Sequence, residues 1–273
     1  MSAAPPPTPP IGSPLAFDVA TARVLWRRDL VRFARQRSRL IGALLQPLVF
    51  WLLIGGGLAP SFRLPGAPEV GYLAYFFPGI VVMMVLFAAI FGTITVIEDR
   101  HEGFLQGVLA GPGSRLAVVV GKCAGVATVG LLQAAGFLAL CPLAGFPYAA
   151  VNWPLLAALL IPGALGMAAV GFALAWWIDS SPGYHAIMSV VLLPAWVLSG
   201  AMYPVNPDMP VLGWLWRLDP MSYLVSGVRR AFYPGGVPEG TVLSGGLGLD
   251  LGVVLGTTAL AFGLSAWLCA RRR

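Results

Sequence analysis

The chain has 273 residues, 58% of them hydrophobic and only 10% charged, with a net charge of +6 and a mean hydropathy of +0.82. That is too apolar for a water-soluble domain, and several uncharged runs exceed the roughly 18 residues that mark a membrane-spanning helix. Barrel strands alternate over about ten residues, whereas these runs are continuous, so helices must satisfy the backbone and the fold class is an all-α polytopic membrane protein.

In chain order, residues 1–16, opening MSAAPPPTPPIGSP, are too proline-rich to fold and read as a disordered tail. No secretory signal is expected, because the first apolar run starts only after an arginine cluster. Residues 17–39 predict an amphipathic helix lying along the membrane interface. Val19, Ala22, Trp26, Leu30 and Phe33 recur at spacings of three and four, and Arg28, Arg32, Arg35 and Arg39 do the same on the opposite side. The alternative is a basic flank that only fixes topology. Residues 40–273 then form one transmembrane domain, with spans at about 41–59, 72–97, 116–141, 153–178, 184–202 and 249–269. Pro142, Gly145, Pro147, Asn152 and Pro154 break the longest run between the third and fourth. Cys123, Cys141 and Cys269 fall in spans at unrelated spacings, which suits small buried hydrophobes better than a disulfide framework or a metal site.

Orientation follows from the basic residues. An N-terminus in the cytoplasm puts Arg23, Arg27, Arg28, Arg32, Arg35, Arg37, Arg39, Arg100, Arg115, Lys122, Arg271, Arg272 and Arg273 inside, and Arg63, Arg217, Arg229 and Arg230 outside. Six spans fit this bias; five would put the C-terminal arginines outside. The positive charge is thereby a topology signal, and nucleic acid is not an expected partner. Lys122 lies close enough to the inner end of its span to snorkel.

Catalysis finds no support. Gly121, Lys122 and Cys123 superficially suggest a phosphate-binding loop, but that motif needs Gly at 116 and Ser or Thr at 123, where this chain has Leu116 and Cys123. His101 and His185 have no metal-ligand spacing. Ser199-Gly200 lacks the second glycine and the nearby histidine of an intramembrane serine protease. No catalytic, cofactor-binding or metal-binding residue is assigned.

Residues 98–115, EDRHEGFLQGVLAGPGSR, gather charges between two apolar spans. Phe104, Leu105, Val108 and Leu109 make one stripe on a short helix over 98–112, with Glu98, Asp99 and Glu102 near its positive end and Gly111, Pro112 and Gly113 stopping it. Such a helix could lie on the bilayer, but that would favour Lys and Arg over three acids, so a protein partner is expected. Residues 203–246 are too apolar for a solvated loop, and each half is too short to span. They predict a re-entrant helical hairpin in the outer leaflet, with Asp219 capping a helix that starts at Pro220. Tyr223, Leu224, Gly227, Val228 and Ala231 would face the protein, while Arg229 and Arg230 reach headgroups or water. A loop lying on the outer surface is the alternative.

Glu98, Arg100, Gly103, Leu109, Pro112 and Arg115 resemble the loop after the second span of ABC-2 type permeases, the membrane subunits of ATP-driven exporters of drugs, lipids and polysaccharides. Residues 193–233, with Ser199-Gly200, Tyr203-Pro204, Asp219-Pro220 and Arg229, resemble that family's passage from the fifth span into the outer loop. Where such first loops usually carry Thr and an acid, this chain has Phe104 and Gln106.

The resemblance implies a six-span permease domain over 40–273, in a bacterial cytoplasmic membrane with both termini inside. It also implies two copies of a separate cytoplasmic ATPase, which would hold the ATP and Mg, and a second permease copy or related chain. The ATPase would dock on the helix 98–112, with Phe104, Leu105 and Leu109 as knobs, and on Trp26, Arg28, Leu30, Arg32, Phe33 and Arg35 of the interfacial helix. Trp214, Trp216, Asp219, Pro220, Tyr223 and Arg229 would form an outer gate. Phe50, Trp51, Phe87 and Phe91 would line a path for an amphiphilic or lipid-linked cargo. The rival is a secondary transporter or channel without an ATPase, which would normally place ionisable residues mid-membrane.

Overall fold

In the computed structural model, residues 13–64, 67–204, 209–238, 240–243 and 245–271 are described, those at 37–40 by backbone alone. Residues 1–12 of the expected tail, Arg272 and Arg273 lie outside them. The described residues contain ten α-helices and no strand. Six segments are long and apolar enough to cross a membrane: Ile41–Leu58, Tyr72–His101, Arg115–Leu138, Trp153–Ile178, Ser181–Ala201 and Gly246–Arg271. Each overlaps one of the six expected runs.

Helix α1 (Pro14–Arg35) starts three residues before its expected position, because Ser13 accepts the Ala16 N–H and Pro14 suits a first turn. It ends at Arg35 rather than Arg39, since Gln36 leaves helical geometry and starts α2 (Arg37–Leu58). Helix α3 (Tyr72–His101) is the most enclosed span and touches α2, α5 (Arg115–Leu138) and α6 (Trp153–Ile178). Helix α7 (Ser181–Trp196) runs into a π-helical turn, Val197–Ala201, where Gly200 has a φ of 81°. Two short helices, α8 (Leu212–Leu218) and α9 (Pro220–Phe232), precede α10 (Gly246–Arg271).

Contacts between helix ends fix the up-and-down order. Arg115, opening α5, donates to the carbonyls of Cys269 and Ala270 that close α10, at 2.7 and 2.8 Å. Arg100, near the end of α3, donates to the Trp176 carbonyl of α6 at 2.9 Å. At the other end Arg229 of α9 reaches the Gly200 and Tyr75 carbonyls. One end of the bundle thus carries α1, the short helix α4 (Phe104–Leu109) and the close of α10; the opposite end carries α8 and α9.

Hydrophobicity does not drive helices together in lipid, so close packing of small residues does that job. Gly121 and Gly125 of α5 form the seat of α1: a Cβ at 121 would lie 2.7 Å from the Ala22 carbonyl oxygen, and one at 125 would lie 3.0 Å from Asp29 Cβ. The glycine of the apparent phosphate loop is a packing surface. Gly79 of α3 does the same for the broken turn of α7, where a Cβ would sit 2.7 Å from the Ala201 carbonyl oxygen.

Candidate functional site

The chemistry concentrates where α1, α3 and α5 meet. Helix α1 turns Ala22, Leu25, Asp29 and Arg32 toward the bundle, so its inner face carries charge. Val19 and Trp26, of the expected apolar stripe, stay exposed, while Leu30 and Phe33 are half-buried. Trp26 Nε1 donates to Thr128 Oγ1 of α5 at 3.0 Å, and Arg35 is exposed. Arg28 and Arg32, expected to point away, face α3. Arg28 grips Asp99 with both terminal nitrogens, at 2.7 and 2.8 Å, and Arg32 meets Glu98 at 2.7 Å. Bidentate pairing of this kind is the strong form of the interaction.

Lys122 corrects a second expectation. It is 1% exposed and does not snorkel; its ammonium donates to Asp29 at 3.0 Å and to Asp99. Three cations and three carboxylates therefore neutralise one another between three helices, which is the arrangement that lets ions survive at low dielectric. The Asp99 carboxylate, held by both nitrogens, raises the Arg28 guanidinium above its ordinary range against the effect of burial. Burial pushes the Asp29 carboxyl up, opposed chiefly by Lys122.

The loop helix is shorter than expected. Gly103 at a φ of 78° separates α3 from α4, so Glu98 and Arg100 belong to α3 and Glu102 closes it. Leu105 is fully buried and so is no knob for a partner. Phe104 is half-buried beneath the Arg28 guanidinium, 3.8 Å from its ring centroid, and Val108 and Leu109 pack against the core. The exposed face is instead Glu102, Gln106, Gly107, Ala110 and Pro112. Arg100 and Arg115 tie span ends together, Arg100 also meeting Asp179 at 3.2 Å, so they brace the bundle rather than belong to α4.

At the opposite end, Asp219 accepts the Met221 N–H at 3.0 Å and Pro220 opens α9, as the sequence predicts. Burial pushes the Asp219 carboxyl up to about 6 despite the Met221 N–H and the Ser222 hydroxyl it accepts. Arg229, expected in headgroups or water, is 1% exposed. It donates to the carbonyls of Thr241 and Gly200 and lies 4.3 Å from the Tyr75 ring centroid, because the broken turn of α7 leaves carbonyls that need donors. Arg230 is half-buried and pairs with buried Asp250 at 2.9 Å. Trp216 donates to the Ser199 carbonyl at 3.2 Å, Tyr223 Oη donates to the Arg217 carbonyl at 2.7 Å, and Trp214 is exposed.

A cleft of ≈ 450 Å³ opens beside the charged cluster, between α1, α2, α3, α5 and α7. Phe87 and Phe91 line it. Phe50 and Trp51 do not: Phe50 is exposed elsewhere on α2, and Trp51 is buried between the Phe77 and Phe137 rings with its Nε1 on the Leu73 carbonyl. The sequence reading missed Asp29, Asp99 and Lys122 as a unit. Asp29, set directly among Arg27, Arg28 and Arg32 of α1, and a lone lysine in an apolar span were the available signal.

Comparison with known proteins supplies the family. The sequence model of a family described as ABC-2 type transporter matches residues 21–233. The chain is similar to a protein of Cyanophora paradoxa named as a transport permease, ycf38, at 27% identity over 78% of this chain and 74% of that one. It is also similar to Nodulation protein J of Rhizobium leguminosarum bv. trifolii, at 27% identity over 75% and 78% of the two chains. Nodulation protein J of Sinorhizobium fredii is 26% identical over 91% and 92%.

Proposed function

From the premise that the chain belongs to the ABC-2 type transporter family, we propose that it is the membrane-spanning permease subunit of an ATP-driven exporter. It moves an amphiphilic cargo out across a bacterial cytoplasmic membrane, with both termini inside, and works as a pair of permease chains. A separate ATPase, in two copies, binds the ATP and Mg. The observation that carries the reading is the buried cluster Arg28–Asp99–Lys122–Asp29 beside the exposed face of α4. The cluster ties α1, α3 and α5 into one lever, so force applied at Glu102, Gln106 and Ala110 would reach two spans together. The stripe of Val19, Trp26, Leu30 and Phe33 would then rest in the inner leaflet.

Buried ionisable groups also favour a second reading, an ion-coupled transporter without an ATPase. One experiment separates the two. The chain is purified from its own membrane in mild detergent, co-purifying subunits are identified, and the complex is reconstituted in vesicles. The exporter reading expects a nucleotide-binding subunit and transport that requires ATP. Transport driven by a proton or sodium gradient without ATP would overturn it. A reporter fused after Arg273 should score as cytoplasmic and one inserted within 235–245 as external.

A further inference from the structure

Helix α1 divides its charge between two sides. Asp29, Arg28 and Arg32 are spent on α3 and α5. Arg23, Arg27 and Arg35 are exposed, and none of the three pairs with an acid among the described residues. Between Ser13 and Gln36 the chain has two acids, and both turn inward: Asp18 accepts the Ser114 N–H, and Asp29 holds Lys122. The outer side of α1 therefore offers positive charge alone.

Two of those arginines run along the edge of the apolar stripe. Arg23 follows Val19 by one turn and Arg27 precedes Leu30 by one turn. Val19 and Trp26 are exposed, and Trp26 is held in place by the hydrogen bond from its Nε1 to Thr128. An i, i+4 pair stands about 6 Å apart at Cβ, where like charges repel each other and one phosphate between them can accept from both guanidinium groups. The α4 side lies elsewhere. Arg28 sits over the Phe104 ring of α4. At about 100° of turn per residue, Arg28 stands about 100° from Arg27 and about 140° from Arg23 around the helix. The exposed charge near Arg28 is the acid Glu102. The side turned to α4 and the side carrying Arg23 and Arg27 thus differ in direction and in sign, and a basic edge beside an apolar stripe complements an anionic lipid surface.

We propose that Arg23 and Arg27 clamp the phosphate of an anionic phospholipid, with an acyl chain along Val19, Trp26 and Leu30. Lipid then holds α1 from one side while α3 and α5 hold it from the other. The proposal rests on the exporter reading only for the leaflet, the inner one; the preference for an anionic head stands on α1 itself.

The test uses the full chain in phosphatidylcholine nanodiscs at low ionic strength, without ATP or partner. Photoreactive phosphatidylglycerol and photoreactive phosphatidylcholine, with the same diazirine-bearing acyl chain, are each added in trace amount, and their adducts are mapped by mass spectrometry. Phosphatidylcholine shares the phosphate but brings its own cation. Phosphatidylglycerol should label α1 about tenfold more, since each arginine favours an anionic head by about fivefold before screening. Arg23→Gln combined with Arg27→Gln should bring phosphatidylglycerol labelling of α1 down to the phosphatidylcholine level while leaving phosphatidylcholine labelling as in the parent, which a misfolded protein would not do. Equal labelling of α1 by the two lipids in the parent, or a preference that survives the double substitution, would overturn the proposal. In the native membrane, a photo-crosslinking amino acid at Ala20, exposed beside the pair, should yield phospholipid adducts. Capture of a protein there would assign this side of α1 to a protein partner and overturn the proposal as well. Neither readout involves ATP, so failure of either leaves ATP-dependent transport to be judged separately.

Discussion

At the scale of single residues, Lys122 decides how the α4 end holds together. Its ammonium is the only positive charge in hydrogen-bond contact with Asp29 among the described residues, and it shares Asp99 with Arg28. Lys122→Met leaves two buried carboxylates with one bidentate cation, and breaking a buried pair from one side costs about 3–5 kcal/mol. Thermal unfolding followed by tryptophan fluorescence should show that loss, and adding Asp29→Leu should recover part of it. Asp219 gives a pH signature at the opposite end. Its carboxyl titrates near 6 in the folded chain, against an ordinary value of 3.8. Between those values the folded state keeps a proton that the unfolded state has released. Stability conferred at this site is therefore full below pH 4 and declines as pH rises through 6, by on the order of 1–2 kcal/mol after solvent screening. Unfolding midpoints at pH 4.5, 5.5 and 7 should record the decline, and Asp219→Asn should flatten it.

At the scale of elements, α1 shows how much the sequence could disclose. Its existence and amphipathic character were legible from the spacing of Trp26, Leu30 and Phe33, and so was the Asp219-Pro220 start of α9. The face that meets the protein was not. Periodicity separates apolar from charged stripes, and in a bundle with lipid outside, the apolar stripe is free to face lipid while the charged one pairs inward. Spacing therefore puts Arg28 and Arg32 on the side opposite the apolar stripe without showing that this side meets α3, and it puts Arg229 in headgroups or water because the carbonyls left by the broken turn at Gly200 exist only once α7 has folded. Leu105 was read as a docking knob because its burial depends on contacts of α4 with α3 and α5, which no local pattern encodes. The seat of α1 can be probed directly. Gly121→Ala places a Cβ against the Ala22 backbone, whereas Gly256→Ala on α10 meets nothing within 4 Å. Trypsin should cut the arginines of α1 faster in the first variant than in the parent, and at the parental rate in the second.

At the scale of the whole molecule, six spans carry the chain back to the end where it began, with α1, α4 and the close of α10 gathered there. The proposed exporter uses the two ends differently. The α4 end would receive the ATPase, and the α9 end, where Arg229 and Trp216 hold the broken turn of α7, would yield to cargo. The most direct test of that division places a photo-crosslinking amino acid at Gln106, exposed on α4, and in a second protein at Trp214, exposed on α8. Each is irradiated in the native membrane, and the crosslinked proteins are identified by mass spectrometry. Capture of a nucleotide-binding subunit at position 106 and none at 214 is the expected result. Capture of that subunit only at 214, or at neither position while ATP-dependent transport persists, would contradict the account.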